Sequence, residues 1–277
     1  MKPLGNVLNL LKLKKAKPLK IGLALGSGAA RGLSHIGVIK ILEQNNIPID
    51  YIAGSSIGAM VGGVYAATKD IKIVEEIALS MDIKKISSLL DLSIKHGIFS
   101  GDKMKEFFDQ HVGQMTFDKL KIPFTAVAVE FKTGDIVPIS KGSVASAIRA
   151  SMSLPIAFKP VINDYKDKIL VDGGLAMPVP VEIARQMGAD IIIAVNLDGD
   201  YFNKKQNLHY HTIALHSMDI VRHYLAKANV ETADVVIEPK VGDVIWFNFT
   251  NAHKVILAGE AETIKKIDEI KKKAKLD

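Results

Sequence analysis

Short apolar runs, glycine turns and apolar-faced segments alternate over residues 20–67, and this alternation restricts the fold more than any other feature of the chain. The run KIGLALG, residues 20–26, predicts a buried strand that ends at a glycine-rich turn, and the segment LSHIGVIKILEQN that follows carries apolar residues at helical spacing. A second strand, YIAG, then leads into a small-residue helix that begins near Ser56. A βαβα opening of this kind predicts a mostly parallel sheet with helices on both faces.

The rest of the chain continues this alternation without a long linker, an internal repeat or a low-complexity tract. PFTAVAVEF and DIVPIS predict two neighbouring strands joined at KTGD, KILV predicts a strand that ends at DGG, and DIIIAVNL predicts a strand buried on both faces. Helices are predicted over much of 70–120, over GSVASAIRASM, over 208–230 and in one final lysine-rich helix. We therefore expect a single α/β domain over residues 19–277.

The basic residues are concentrated at the amino terminus. The net charge is +6, and the first 20 residues carry six lysines and no acidic residue, so the remaining chain is balanced in charge. Leucine and valine residues lie among these lysines at helical spacing, which fits either an amphipathic helix on anionic lipid or a leader helix packed on the body. We predict a basic amphipathic segment over residues 1–18 and peripheral membrane contact through residues 1–20.

Composition excludes several classes of protein. The chain has no cysteine, which excludes disulfides, a thiolate nucleophile and thiolate zinc sites, and favours a reducing, cytoplasmic location. No apolar run reaches the length of about 18 residues that a membrane-spanning helix needs. No basic face with interleaved aromatic residues is present, so we expect no nucleic-acid partner. The sequence leaves the oligomeric state open, and we expect no metal or cofactor.

Residues Gly54-Ser55-Ser56-Ile57-Gly58 match the G-x-S-x-G pattern of a nucleophile elbow, in which a strand turns sharply into a helix and exposes a serine hydroxyl. The central serine is Ser56, and the flanking glycines Gly54 and Gly58 stand where a side chain would collide with the turn or a neighbouring strand. The predicted strand before the pattern and the predicted helix after it strengthen the match. The alternative is a Gly/Ser turn that caps a helix.

The glycine-rich loop GSGAARG, residues 26–32, lies one βα unit before Ser56. In a parallel sheet both loops emerge at the carboxyl edge, where backbone N–H groups of a helix start can stabilise an oxyanion. The alternative is a phosphate cradle, but Gly26 and Gly28 are followed by Arg31 where the dinucleotide pattern needs a third glycine. Arg31 fits either a contact to an anionic head group or a surface charge.

A reactive serine also needs a base. Five histidines follow Ser56 in the order that a Ser-His-Asp triad allows, and three of them lie in or beside the polar segment HYHTIALH: His209, His211, His216, His223 and His253. Asp172 is the stronger candidate, because it follows the strand KILV directly, and we expect it at the carboxyl edge of the sheet. A partly desolvated carboxylate near the serine can accept its proton. A turn aspartate in DGG is the alternative.

Four segments, in this order, resemble the motifs of the bacterial patatin-like phospholipase family: LALGSGAARGLSHIGVI, YIAGSSIGAMVGG, AIRASMSLPIAFKPVI and LVDGGLAMPVPVEIARQMGAD. The resemblance runs from about residue 20 to about residue 265. It implies a three-layer α/β/α fold with a mostly parallel central sheet and a Ser56–Asp172 dyad without a catalytic histidine. It further implies hydrolysis of lipid or other acyl esters through an acyl-enzyme, with an oxyanion hole at Gly28, Ala29 and Ala30. The remaining motif residues are Gly26, Gly32, Gly173 and Gly174.

The chain departs from the family pattern at two places. Ser27 and Ala29 interrupt the usual run of glycines, and an alanine reaches positive φ less easily than glycine does. Met177 stands where asparagine is common, and His35 matches a common family residue whose helical position favours a structural role. The altered loop supports a rival hypothesis, a weakly active or inactive regulatory protein with this fold. Two segments are candidate lids over the cleft, residues 70–115 and 200–230.

Overall fold

The computed structural model describes residues 18–81, 88, 99–155, 157–162, 165, 167–199, 210–242, 244 and 248–276. Within them one eight-stranded sheet forms the centre of the molecule, in the order β5-β6-β3-β2-β1-β7-β8, with β4 paired to β3. The strands are β1 (Ile21–Leu25), β2 (Tyr51–Ser55), β3 (Phe124–Glu130), β4 (Ile136–Ile139), β5 (Val161–Ile162), β6 (Ile169–Asp172), β7 (Ile191–Val195) and β8 (Val235–Ile237).

The five strands β3, β2, β1, β7 and β8 are parallel, as the βαβα opening predicts. The remaining strands, β4, β5 and β6, form antiparallel pairs at the β3 edge. The sheet is therefore parallel at its centre and mixed at one edge. Asp172 is the last residue of β6 at this edge, so the direction of β6 determines how the carboxylate reaches the rest of the site.

Helices cover both faces of the sheet, which confirms the three-layer α/β/α prediction. They are α1 (Ser34–Gln44), α2 (Ile57–Thr68), α3 (Ile71–Leu79), α4 (Asp102–Val112), α5 (Val144–Ser151), α6 (Val181–Gln186), α7 (Tyr210–Val230), α8 (Ala252–Ile264) and α9 (Ile267–Ala274). Alternate strand residues face opposite layers: Leu23 packs in the larger core with α1 and α2, whereas Ala24 packs in the smaller core with α6.

One expectation about the segments is wrong, and one departure from the family pattern finds its place in the fold. The final lysine-rich region forms two helices, α8 and α9, where the sequence predicted one, because the chain leaves the helical hydrogen-bond pattern between Ile264 and Ile267. Met177 is buried in the smaller core and contributes to packing.

Several predicted segments lie outside the described residues. They include the amphipathic segment up to residue 17 and parts of both candidate lids, residues 82–87, 89–98 and 200–209. Membrane contact through residues 1–20 therefore stays a prediction. No helix of the described chain is long and apolar enough to cross a membrane.

Candidate active site

Ser56 occupies the sharp turn between β2 and α2. Its backbone has φ 55° and ψ −121°, a conformation that side chains rarely adopt outside strained functional turns. A Cβ on Gly54 would lie 2.5 Å from the carbonyl oxygen of Gly58, and one on Gly58 would overlap the carbonyl of Leu25. Both flanking glycines are thus sterically required, as predicted.

The two adjacent serines have different surroundings. Ser55 is fully buried, and its Oγ has no hydrogen-bond partner among the described residues. Ser56 is partly exposed at a cavity, and its Oγ donates a hydrogen bond of 2.6 Å to Oδ2 of Asp172. Ser56 is therefore the serine that has both access to a ligand and a carboxylate acceptor.

Ser151, at the end of α5, holds the strained turn in place. Its Oγ accepts the backbone N–H of Ser56 at 2.9 Å and donates to the carbonyl of Val127 at 2.6 Å. Ser151 is not among the residues that the sequence predicts for the site. Ser151 lies in the motif AIRASMSLPIAFKPVI, but nothing in its spacing indicates that its hydroxyl contacts a turn 95 residues earlier.

Asp172 lies at the carboxyl edge of the sheet, where the sequence predicted it, but its own strand runs against the parallel strands. β6 is antiparallel to β3, with Asp172 opposite Ala128. Because Ser55 pairs with Val127 on the other side of β3, Asp172 lies level with Ser56 across that strand. The carboxylate therefore enters the site at the end of an antiparallel strand.

The carboxylate of Asp172 is almost completely buried, with 3% of the residue exposed. Burial raises the pKa of Asp172 to about 6, although its hydrogen bonds with Ser56 and Gly174 and the charge of Arg222 act in the opposite direction. The Gly174 N–H donates to Oδ1 at 2.7 Å and leaves Oδ2 for the serine. A carboxylate with this pKa can accept and return a proton near neutral pH.

The glycine-rich loop lies beside Ser56 and offers free backbone donors. The N–H of Arg31 donates to the carbonyl of Gly28, whereas the N–H groups of Gly28, Ala29 and Ala30 have no acceptor among the described residues. Gly28 and Ala29 line the same cavity as Ser56, but Ala30 is buried in the core. Ala29 has φ 50°. The alanine therefore adopts the positive φ that the glycine of the usual family pattern reaches more easily.

A further donor comes from the residue after the serine. The N–H of Ile57, at the start of α2, also lacks an acceptor within the described part of the chain. Nucleophile elbows commonly use this N–H in the oxyanion hole, so the pattern itself carried a signal that the sequence analysis did not use.

Arg31 has neither of the two roles predicted for it. It is fully buried, and its guanidinium bonds to the carbonyls of Gly28 and Leu197 at 3.3 Å and lies 3.2 Å from Oδ1 of Asp198. Arg222 of α7 binds the same carboxylate through two nitrogens, at 3.1 and 2.9 Å. Arg31 is thus a structural residue that connects the glycine loop to α7 through Asp198.

The remaining motif glycines allow close packing around the site. An added Cβ would overlap a neighbouring atom at each of them, namely Gly26, Gly32, Gly173 and Gly174. His35 also supports the loop, because it is fully buried and its Nε2 lies 2.8 Å from the carbonyl oxygen of Gly26. Burial lowers the pKa of His35 to about 4, so the ring is neutral and its Nε2 donates the hydrogen bond, in a structural role as predicted.

None of the histidines described at side-chain level lines the two cavities that contain Ser56. His223 binds the carbonyl of Asp198 through Nδ1 at 2.8 Å, and His253 is exposed on α8. His209 and the side chain of His211 lie outside the described residues. In that same described part there is also no group of three or more His, Asp or Glu side chains arranged to hold a metal ion.

Two cavities meet at Ser56. The first, of about 300 Å³ and here named the polar cavity, lies between the glycine loop and α7, with Ser217, Asp219 and Arg222 in its wall. The second, of about 120 Å³ and named the apolar cavity, extends to the other side, and Ser56 and Asp172 are its only polar lining residues among those described.

The chain turns from β2 through a strained serine into α2, and a buried carboxylate is hydrogen-bonded to that serine. This arrangement defines a class of α/β proteins built like serine hydrolases. Comparison with known proteins makes the class specific. A family model described as patatin-like phospholipase matches residues 23–185, and the chain belongs to this family. The family resemblance predicted from the four motifs is thereby confirmed.

Curated relatives agree with this assignment. An uncharacterized NTE family protein of Mycobacterium tuberculosis is 38% identical over 190 residues, which cover 68% of this chain and 52% of the relative. Human patatin-like phospholipase domain-containing protein 6 is 32% identical over 182 residues, which cover 64% of this chain and 13% of that protein. The chain thus spans about half the length of its mycobacterial relatives and a smaller part of the animal protein.

Among solved structures, the chain is similar to VipD from Legionella pneumophila. The TM-score is 0.53 at 14% sequence identity, and the match covers 91% of this chain and 67% of VipD. At this level of identity the similarity supports the fold alone.

Proposed function

We propose that the protein is a serine acyl-ester hydrolase that acts on lipid esters through a Ser56–Asp172 dyad and an acyl-enzyme. The observation that carries this proposal is the 2.6 Å hydrogen bond from Ser56 Oγ to the buried carboxylate of Asp172. Membership of the patatin-like phospholipase family supports ester hydrolysis as the class of reaction. The apolar cavity beside Ser56 supports an acyl substrate.

In the proposed reaction, Ser56 Oγ attacks the carbonyl carbon of the ester while Asp172 accepts the hydroxyl proton. The negative charge that develops on the carbonyl oxygen is stabilised by the free N–H groups of the glycine loop, those of Gly28 and Ala29 lining the cavity and that of Ala30 adjoining them. The tetrahedral intermediate then collapses, the carbon–oxygen bond to the alcohol breaks, and Asp172 returns its proton to the leaving alkoxide. Water attacks the acyl-enzyme in the second half of the reaction, with Asp172 again as base.

The hydrogen bond also has an energetic consequence. It places the proton acceptor in contact with the serine before the substrate binds, so no rearrangement of the base precedes attack. Burial raises the pKa of Asp172 and thereby increases its strength as a base. A histidine is unnecessary in this scheme, because a carboxylate of this pKa takes over the role of the imidazole.

The adjacent serines provide a matched test of the nucleophile. We expect a fluorophosphonate probe to label the parent protein and the Ser55→Ala variant but not the Ser56→Ala variant, because only Ser56 has a base. Intact-protein mass spectrometry measures the labelling, and hydrolysis of p-nitrophenyl butyrate should follow the same order. Equal labelling of the Ser56→Ala variant would refute the assignment. A parent protein that neither reacts nor hydrolyses esters would favour the rival hypothesis, a regulatory protein with this fold.

The same assay distinguishes the dyad from a triad. Asp172→Asn is expected to lower ester hydrolysis by at least about 1,000-fold, since the serine loses its proton acceptor. Alanine at His209, His211 or His216 should leave most of the activity. Loss of activity in one of these folded histidine variants would instead indicate a triad.

A further inference from the structure

A third cavity continues the apolar cavity into the interior. It has a volume of about 60 Å³, is here named the inner cavity, and lies between α1, α2, α3 and α4. Five residues line both it and the apolar cavity, so the two are neighbours across a shared wall: Met60, Met81, Phe107, Phe108 and Phe249. A path of apolar lining residues therefore leads from Ser56 towards the helical layer, with the shared wall between the two cavities.

Helix α2 runs along this path. Ser56 precedes the helix, Met60 follows one turn later and borders both cavities, and Val64 follows after a second turn and borders only the inner cavity. Residues spaced by four lie along one side of a helix, and the rise places Val64 about 12 Å beyond Ser56 along the axis. The side chain of Met60 thus stands between the two cavities, and Val64 stands near the far end.

The chemistry of the walls indicates what would occupy the path. Four of the nine methionines of the chain border the apolar cavity, and methionine side chains adapt to flexible apolar ligands. Ser56 and Asp172 provide the only polar lining of that cavity among the described residues, and the inner cavity adds only His111. A polar leaving alcohol finds hydrogen-bonding groups in the polar cavity instead, where Asp219 and Arg222 lie.

We propose that the apolar and inner cavities form one acyl channel, in which Met60 and Val64 determine the length of acyl chain that the enzyme accepts. This proposal rests on the proposed function, because Ser56 is taken as the residue that receives the acyl group. A medium-length chain extends from Ser56 past Met60 towards Val64. The leaving alcohol lies on the opposite side, against α7.

The first experiment measures kcat/KM for p-nitrophenyl acetate, butyrate, octanoate and laurate. In Met60→Trp the larger side chain closes the path. Each methylene of the acyl chain that can then no longer be buried beyond residue 60 should lower kcat/KM about fourfold. Octanoate, with about three to four methylenes beyond Met60, should lose on the order of 100-fold by this estimate and laurate at least as much, whereas acetate should stay within about twofold of the parent protein. The matched control is Met187→Trp, a partly buried methionine at the end of α6 on the other face of the sheet, which should leave the profile unchanged.

Val64→Ala provides a second variant that removes atoms and cannot overpack the site. It should deepen the inner cavity and shift the preference towards the longer ester. If Met60→Trp and Val64→Ala both keep the chain-length profile of the parent protein, or if acetate falls as much as laurate, the channel assignment is wrong. That result would leave the proposed hydrolysis intact.

A binding experiment separates the channel from the reaction. In the Ser56→Ala background no acyl-enzyme forms, and isothermal titration with octanoate and decanoate measures occupancy of the channel alone. We expect binding that Met60→Trp weakens at least tenfold and Met187→Trp leaves unchanged. Equal binding to the Met60→Trp and Met187→Trp variants would overturn the channel. If binding follows the expected pattern but the parent protein, with Ser56 intact, hydrolyses no ester, the proposed function is refuted and the channel is retained.

Discussion

The replacement Asp172→Asn should remove activity and at the same time stabilise the fold at alkaline pH. Burial raises the pKa of Asp172 from an ordinary value of 3.8 to about 6, so the folded protein holds this proton more tightly than the unfolded chain does. The stabilising contribution of the protonated group is complete below pH 3.8 and is lost as the pH rises through about 6. The difference in pKa therefore lowers the unfolding free energy by about 3 kcal/mol at pH 8, where Asp172 is ionised in both states, and by about 1.5 kcal/mol at pH 5, where mainly the unfolded chain is ionised.

Asparagine has nearly the same shape and removes this cost. Its carbonyl oxygen can accept the N–H of Gly174, and its amide can donate to Ser56 Oγ, so both contacts of the carboxylate keep a counterpart. We expect the Asp172→Asn variant to exceed the parent protein in unfolding free energy by up to about 3 kcal/mol at pH 8 and by about half as much at pH 5. Urea unfolding followed by circular dichroism at the two pH values measures the difference.

The control is Asp167→Asn, at an exposed turn residue with φ 62° that asparagine also tolerates. Its effect should stay within about 0.5 kcal/mol at both pH values. A difference between Asp172→Asn and the parent protein that does not change with pH would refute the assignment of a raised pKa to Asp172. The site would then need another explanation for its base.

Two further predictions concern the pH dependence of the reaction and the support of the site. Because Asp172 must be ionised to accept the serine proton, kcat/KM for a short ester should fall about tenfold per pH unit below pH 6 and level off above it, and a flat profile between pH 5 and pH 8 would contradict this role. Asp198→Ala should lower the unfolding free energy by about 3–5 kcal/mol in urea titrations, because it leaves the buried guanidinium groups of Arg31 and Arg222 without their shared carboxylate. A loss below about 1 kcal/mol would show that this network contributes little to stability.

Local patterns in the sequence predicted the parallel centre of the sheet and the positions of Ser56 and Asp172, and the resemblance to the patatin-like family implied that the two residues pair. Apolar runs bounded by glycines determine where strands end, and a G-x-S-x-G turn between a strand and a helix determines where the hydroxyl stands. The direction of β6 could not be predicted in this way. A short apolar run has the same composition whether it pairs parallel or antiparallel.

Long-range side-chain contacts explain the other differences. In sequence Arg31 fits a contact to an anionic head group or a surface charge. Its burial becomes favourable only because Leu197 and Asp198, which follow β7, lie beside it in the fold. Ser151 likewise acquires its role through a contact that no spacing reveals. The sequence thus predicts the candidate site residues better than it predicts the residues that hold them in place.

The distribution of strain favours an active site over an unused pocket. Seven described residues other than glycine have positive φ, and five of them are polar residues in loops or at helix ends: Asn46, Lys69, Gln114, Asp167 and Lys275. The other two are Ala29 and Ser56, which lie together at the cavity that contains Asp172. Such conformations cost of order 1–3 kcal/mol each, and the buried carboxylate adds a cost of similar size at neutral pH.

A protein that used this fold only for binding would gain stability by relaxing each of these features. Ala29→Gly would relieve the positive φ, and Asp172→Asn would remove the cost of the buried charge. A catalytic role would explain why the strained residues and the buried carboxylate occur together at one cavity. In that role the strained turn presents the Ser56 hydroxyl, the glycine loop directs N–H groups at the carbonyl oxygen, and the raised pKa of Asp172 makes it a base. Labelling of Ser56 by a fluorophosphonate and titration of Asp172 therefore test the same arrangement. The catalytic interpretation requires both that Ser56 is labelled and that Asp172 titrates with a raised pKa.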